Sequence, residues 1–117
     1  MRRALLILPI LSLIGCGAGQ QQAAFEQAVA CEMATGIVGA FHPNMPRPQR
    51  AGLQRANAYY HGQTEVLGPP LGKSSRQVDE DRRAYLVDVH RRMSGPDRER
   101  VTQEFLQAAR RCQQDVV

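Results

Sequence analysis

Apolar positions recur along this chain with a helical period almost from end to end. Between Ala23 and Phe41, Phe25, Val29, Met33, Ile37 and Phe41 fall every four residues, and Cys31, Ala34 and Val38 form a second row beside them. Two adjacent rows predict a helix buried over most of its circumference, with Glu26, Glu32 and Gln27 on the wet strip. The segment His42-Pro43-Asn44-Met45-Pro46-Arg47-Pro48 stops that helix, because proline lacks an amide proton and biases its predecessor away from the helical region. A second helix can begin near Pro46 or Pro48, since proline is tolerated in a first turn. Its weaker stripe is Leu53, Ala56, Tyr60, Thr64 and Leu67. Gly62 allows a stop there, but the period stays in register past it, which favours a helix continuing to Leu67.

Gly68-Pro69-Pro70-Leu71-Gly72-Lys73 reads as a loop. Ser74 then offers an N-cap and, with Gln77 three residues on, the spacing of a capping box. The helix it opens carries Asp79, Glu80 and Asp81 early and Arg91 and Arg92 late, as the helix dipole favours. Its predicted inner face is Val78, Tyr85, Leu86, Val89 and Met93. Ser94-Gly95-Pro96-Asp97 reverses the chain in so few residues that the last helix, from Pro96 to about Gln114, must return antiparallel. Val101, Phe105, Ala108 and Cys112 form its stripe. No sustained alternation suggests a strand. The expected fold is all-α, a small antiparallel bundle of about four helices.

The N-terminus follows a different pattern. Met1-Arg2-Arg3 is a short cationic head, Ala4 to Ile14 an apolar run broken only by Pro9 and Ser12, and small residues follow. This is the layout of a secretory signal, and the run is well short of the roughly 20 residues a membrane-spanning helix requires. Leu13-Ile14-Gly15-Cys16, closing that run, resembles the lipobox of bacterial lipoprotein signal peptides. The resemblance implies cleavage before Cys16, acyl chains on that cysteine, and a lipid-anchored protein facing the periplasm. Gly17, where an aspartate would imply inner-membrane retention, favours the outer membrane. The other reading of these residues is an ordinary signal peptide cut near Gly15 to Gly19. The implied organisation is a signal peptide over 1–15, a flexible tether over 16–22 and a single helical domain over 23–117.

Assigning Cys16 to lipid changes the cysteine count. Of three cysteines, Cys31 and Cys112 remain, both on apolar stripes, and in an oxidising compartment such a pair is expected to bond. That disulfide makes the first and last helices neighbours. Export also removes Arg2 and Arg3, halving a formal charge of +4. Such weak basicity gives no support to a nucleic-acid partner.

Candidate chemistry is sparse. His61 and Glu65 stand at i and i+4, but two ligands fall short of a transition-metal site, so no metal or other cofactor is expected. There is no serine elbow, zinc-protease motif or phosphate loop. The arginine doublets at 82/83, 91/92 and 110/111, with Arg98 and Arg100, could form a basic face. Acids at helical spacing, Asp79 with Arg83 and Asp88 with Arg92, instead suggest ordinary solvated pairs. Tyr59, Tyr60, Arg82 and Arg83 are the candidate partner contacts, since of the three adjacent rings Tyr59, Tyr60 and His61 at most one or two can face the core and at least one is exposed. Met93-Ser94-Gly95-Pro96-Asp97-Arg98 resembles the Leu-Thr-x-x-Gln turn of small helical periplasmic stress chaperones, with Asp97 in place of the glutamine. The leading expectation is an envelope lipoprotein that acts without catalysis as a binding or structural accessory to another envelope protein. The alternative is a periplasmic chaperone or small-ligand binder.

Overall fold

The computed structural model describes residues 7–42 and 44–116, with side chains from residue 17 onward except residue 18. The expected signal head and the Cys16 side chain, the expected lipid attachment point, lie outside the described residues. Four helices follow in order: α1 (Ile7–Phe41), α2 (Arg47–Leu67), α3 (Ser75–Met93) and α4 (Arg98–Gln114), with a short 3-10 turn at Pro69–Leu71 between α2 and α3. No strand occurs among the described residues.

The boundaries follow local chemistry. Pro46 and Pro48 open α2, which continues through Gly62 to Leu67. Ser74 caps α3 with both arms of the capping box: its hydroxyl accepts from the Gln77 amide, and the Gln77 side chain accepts from the Ser74 amide. Gly72 leaves the 3-10 turn at φ 76°, a left-handed conformation that costs glycine little.

One boundary differs from expectation. The predicted tether, 16–22, is helical backbone within α1. Its Gln20 to Gln22 and the following alanines are good helix formers, and together they carry the helix through Gly17 and Gly19.

The contacts run up, down, up, down. Along α1 from its N-terminal side, Phe25 and Val29 meet Val78. Ala28 and Cys31 meet Ala56, Tyr60 and Cys112. Ala34 and Val38 then meet Leu53, Val89, Phe105 and Ala109. The Cys31–Cys112 disulfide, with Cα atoms 5.6 Å apart, ties α1 to α4 and closes a separation of 81 residues. Tyr60 reinforces this junction by donating its hydroxyl to the Cys112 carbonyl at 3.0 Å.

Three predicted core positions are displaced. Phe41 is 68 % exposed, because it stands in the last turn of α1 beyond the packed layers. Leu86 is 41 % exposed, since the buried stripe of α3 runs Val78, Arg82, Tyr85, Val89 and Leu86 lies a quarter-turn off it. On α4, Ala109 is buried in place of Ala108, giving Val101, Phe105, Ala109 and Cys112.

Candidate functional site

The arginine within the stripe of α3 explains the least expected feature of the core. Glu32, predicted on the wet strip of α1, is only 3 % exposed. Its position continues the inward row Phe25, Ala28, Glu32, Thr35, and the facing groups come from α2 and α3. Oε2 accepts from Arg82 Nε at 2.8 Å, and Oε1 lies 2.6 Å from His61 Nδ1. A carboxylate requires a donor there, which assigns the proton to Nδ1. The Glu32 carbonyl accepts from Asn57 Nδ2 at 2.8 Å and from the Thr35 hydroxyl at 3.2 Å.

Arg82 spreads over three acids. Besides Glu32 it donates from Nη2 to Glu65 at 3.0 Å and from Nη1 to Asp79 at 2.8 Å. Burial alone lowers its pKa, but the hydrogen bonds to Glu32, Glu65 and Asp79 outweigh that and hold it above the usual arginine value. Arg82 is therefore a permanent cation turned inward, not the surface contact predicted for it. Arg83, its neighbour, is exposed and takes no part in this cluster. The predicted pairs also shift by one residue. Asp79 meets Arg82 instead of Arg83, while Asp88 meets Arg91, leaving Arg92 to reach Glu104 on α4 at 2.8 Å.

Chemically, Glu32 and His61 form a carboxylate–imidazole dyad with the ring half out in solvent. No hydroxyl or thiol hydrogen-bonds to that ring among the described residues; its Nδ1 side is taken up by Glu32 and Arg82. The i, i+4 pair of His61 and Glu65 has its nearest atoms 4.0 Å apart, with Arg82 bonded to the same carboxylate. No group of three metal-ligating side chains occurs among the described residues. All buried side-chain polar atoms described have partners, so the polar layer is a closed junction joining α1, α2 and α3.

Of the two tyrosines predicted as partner contacts, only Tyr59 is available at the surface; Tyr60 is taken up by the core stripe of α2. Tyr60 is in the core and Tyr59 is about half exposed, the rings meeting edge to face at 5.1 Å between centroids. Concave surface lies elsewhere. A hollow of about 460 Å3 opens between α1 and α2 over Gly36 and Gly39, but its Asn57 and Thr35 are already bonded within the fold. At the end of the bundle farthest from the N-terminus of α1, Phe41, Met93 and Leu106 border an almost wholly apolar hollow of about 190 Å3. A second hollow, of about 260 Å3, adjoins it between α2 and α4. Sequence periodicity could not reveal these, because they depend on where α1 ends relative to α3 and α4. Among the described residues no helix is long and apolar enough to cross a membrane. Comparison with family models, curated proteins and solved structures found no match to this chain.

Proposed function

We propose that this chain is a lipid-anchored envelope protein whose helical domain works by contact, as a binding or structural accessory without catalysis of its own. The observation that carries the reading is Leu13-Ile14-Gly15-Cys16 at the close of a short apolar leader. One acyl chain holds a protein only marginally, so the two or three that this class carries make the anchor stable. The Cys31–Cys112 bond supports the reading, because structural disulfides persist in oxidising compartments outside the cytoplasm. Gly17 after the cysteine favours the outer membrane. The closed polar layer supports a contact role, since its buried carboxylate and arginine are spent on joining helices.

Metabolic labelling with a palmitate analogue tests the anchor. Wild type takes label and fractionates with membranes, and Cys16→Ser loses both. An unlabelled wild type, or a Cys16→Ser protein still held in membranes, overturns it.

A further inference from the structure

The two hollows at the far end of the bundle share Val38, His42 and Leu106 and so form one surface with a ridge across it. The first is lined by carbon from Ile37, Phe41, Met93 and Phe105, and Phe41 stands largely in solvent at its mouth. The second changes character along its length, from Met45 and Leu53 to Arg110 and Gln113. Arg55 approaches the same wall: its Nη2 lies 3.9 Å from where a Cβ on Gly52 would stand, and that Cβ would also meet the Gln113 side chain.

The charge in the segments around the second hollow is one-sided. Residues 42–64 contain Arg47, Arg50 and Arg55, and residues 105–114 contain Arg110 and Arg111, with no aspartate or glutamate in either stretch. The acids that flank these stretches are engaged elsewhere: Glu65 with Arg82, Glu104 with Arg92, and Asp115 beside Tyr60 near the disulfide. Arg55 and Arg110 have no ion-pair partner among the described residues, unlike Arg82, Arg91, Arg92 and Arg100. An exposed aromatic, two methionines and unpaired arginines around apolar hollows are the side chains enriched where proteins meet.

We infer that this end of the bundle docks an acidic amphipathic segment of a protein partner, with apolar side chains entering the two hollows and carboxylates meeting Arg110 and Arg55. Each hollow has room for a side chain and not for a paired-chain lipid, and planar guanidinium groups suit carboxylates bidentately. On the anchor reading, α1 places Phe41 about 37 Å along the helix from Cys16, at 1.5 Å per residue, so the surface faces a partner beyond its own bilayer. The inference deepens the contact role proposed above and rests on it, but does not require the lipid.

The probe is a phage library of random peptides, selected on the full chain in phosphatidylcholine nanodiscs and counter-selected on empty ones. Enriched peptides are expected to combine apolar residues with aspartate or glutamate and to bind more weakly as salt rises. Affinity of a synthetic consensus peptide should fall about tenfold with Arg110→Glu and with Phe41→Ser, both at the surface, and hold with Arg76→Glu in the first turn of α3, at the opposite end of the bundle. A peptide whose acids are exchanged for arginine should bind Arg110→Glu better than wild type. Absence of enrichment, a consensus without acids, or indifference to Arg110→Glu overturns the inference. So does Arg110-dependent binding to phosphatidylglycerol vesicles with no peptide selected, which assigns the surface to a membrane. Failure of the anchor is read separately, at the Cys16 label.

Discussion

Glu32 on α1 and Arg82 on α3, fifty residues apart, meet at 2.8 Å inside the bundle, and each occupies a place that an apolar side chain could fill. Removing one member leaves the other desolvated. Arg82→Met should therefore destabilise the fold by about 3 kcal/mol, whereas Glu32→Met with Arg82→Met should come close to wild type, because two apolar side chains need no compensation. Urea denaturation of the three proteins checks this. An Arg82→Met variant within about 0.5 kcal/mol of wild type would place the pair with weak surface bridges.

The disulfide acts on a different state. By joining Cys31 to Cys112 it restricts the unfolded chain over most of the domain, a contribution of up to about 4.5 kcal/mol in the chain-entropy view. Reduction, or Cys31→Ala with Cys112→Ala, should lower the urea midpoint by a corresponding amount while helical circular dichroism persists in dilute buffer. Non-reducing mass mapping should recover both cysteines in one linked peptide; two free thiols in the folded protein would remove this staple.

The bundle was legible because its punctuation is strong. Pro46, Pro48 and the Ser74–Gln77 box mark helix starts, and the cysteine count pointed to the pairing that joins α1 to α4. The polar junction was not, because counting only apolar residues assigns every charge to solvent. The signal was nevertheless present: Arg82 lies four residues after Val78 and three before Tyr85, and Glu32 lies four after Ala28, so opposite charges sit on two buried stripes. Phe41 and Leu86 were misplaced for a related reason. Period identifies a face, but the neighbouring helix decides how far along it the cover extends.

Two glycines make opposite tests of packing. Gly62 lies inside α2, and a Cβ there would meet nothing within 4 Å. Gly62→Ala should raise stability by about 0.8 kcal/mol, since alanine gives up less backbone freedom in a helix. Gly68 closes α2 against α3, where a Cβ would stand 2.8 Å from Val78 Cγ2. Val78 is buried and β-branched, so it cannot simply rotate away, and Gly68→Ala should cost about 1–2 kcal/mol. Thermal melts of both variants decide the matter: equal shifts of one sign would mean that the α2–α3 corner is looser than this contact implies.

Tyr60 and Tyr85 set the behaviour in alkali. Burial raises the pKa of each phenol, the charge of Asp115 adding to the effect at Tyr60, and at Tyr85 Arg92 opposing and Asp88 adding. Both groups are thus neutral in the fold over a range where the unfolded chain, with phenol pKa values near about 10, already ionises. Below that range the two states bind equal protons and pH has no effect through these groups. Above it the unfolded state loses protons first, so stability should fall as pH rises from about 10 toward the elevated folded values, then level off once the folded phenols also ionise. Tyr60→Phe also forfeits the hydrogen bond to the Cys112 carbonyl and should be less stable at neutral pH, yet its decline above about pH 10 should be shallower. The slope separates the two effects, and a Tyr60→Phe protein that declines as steeply as wild type would show that this phenol does not resist ionisation in the folded state.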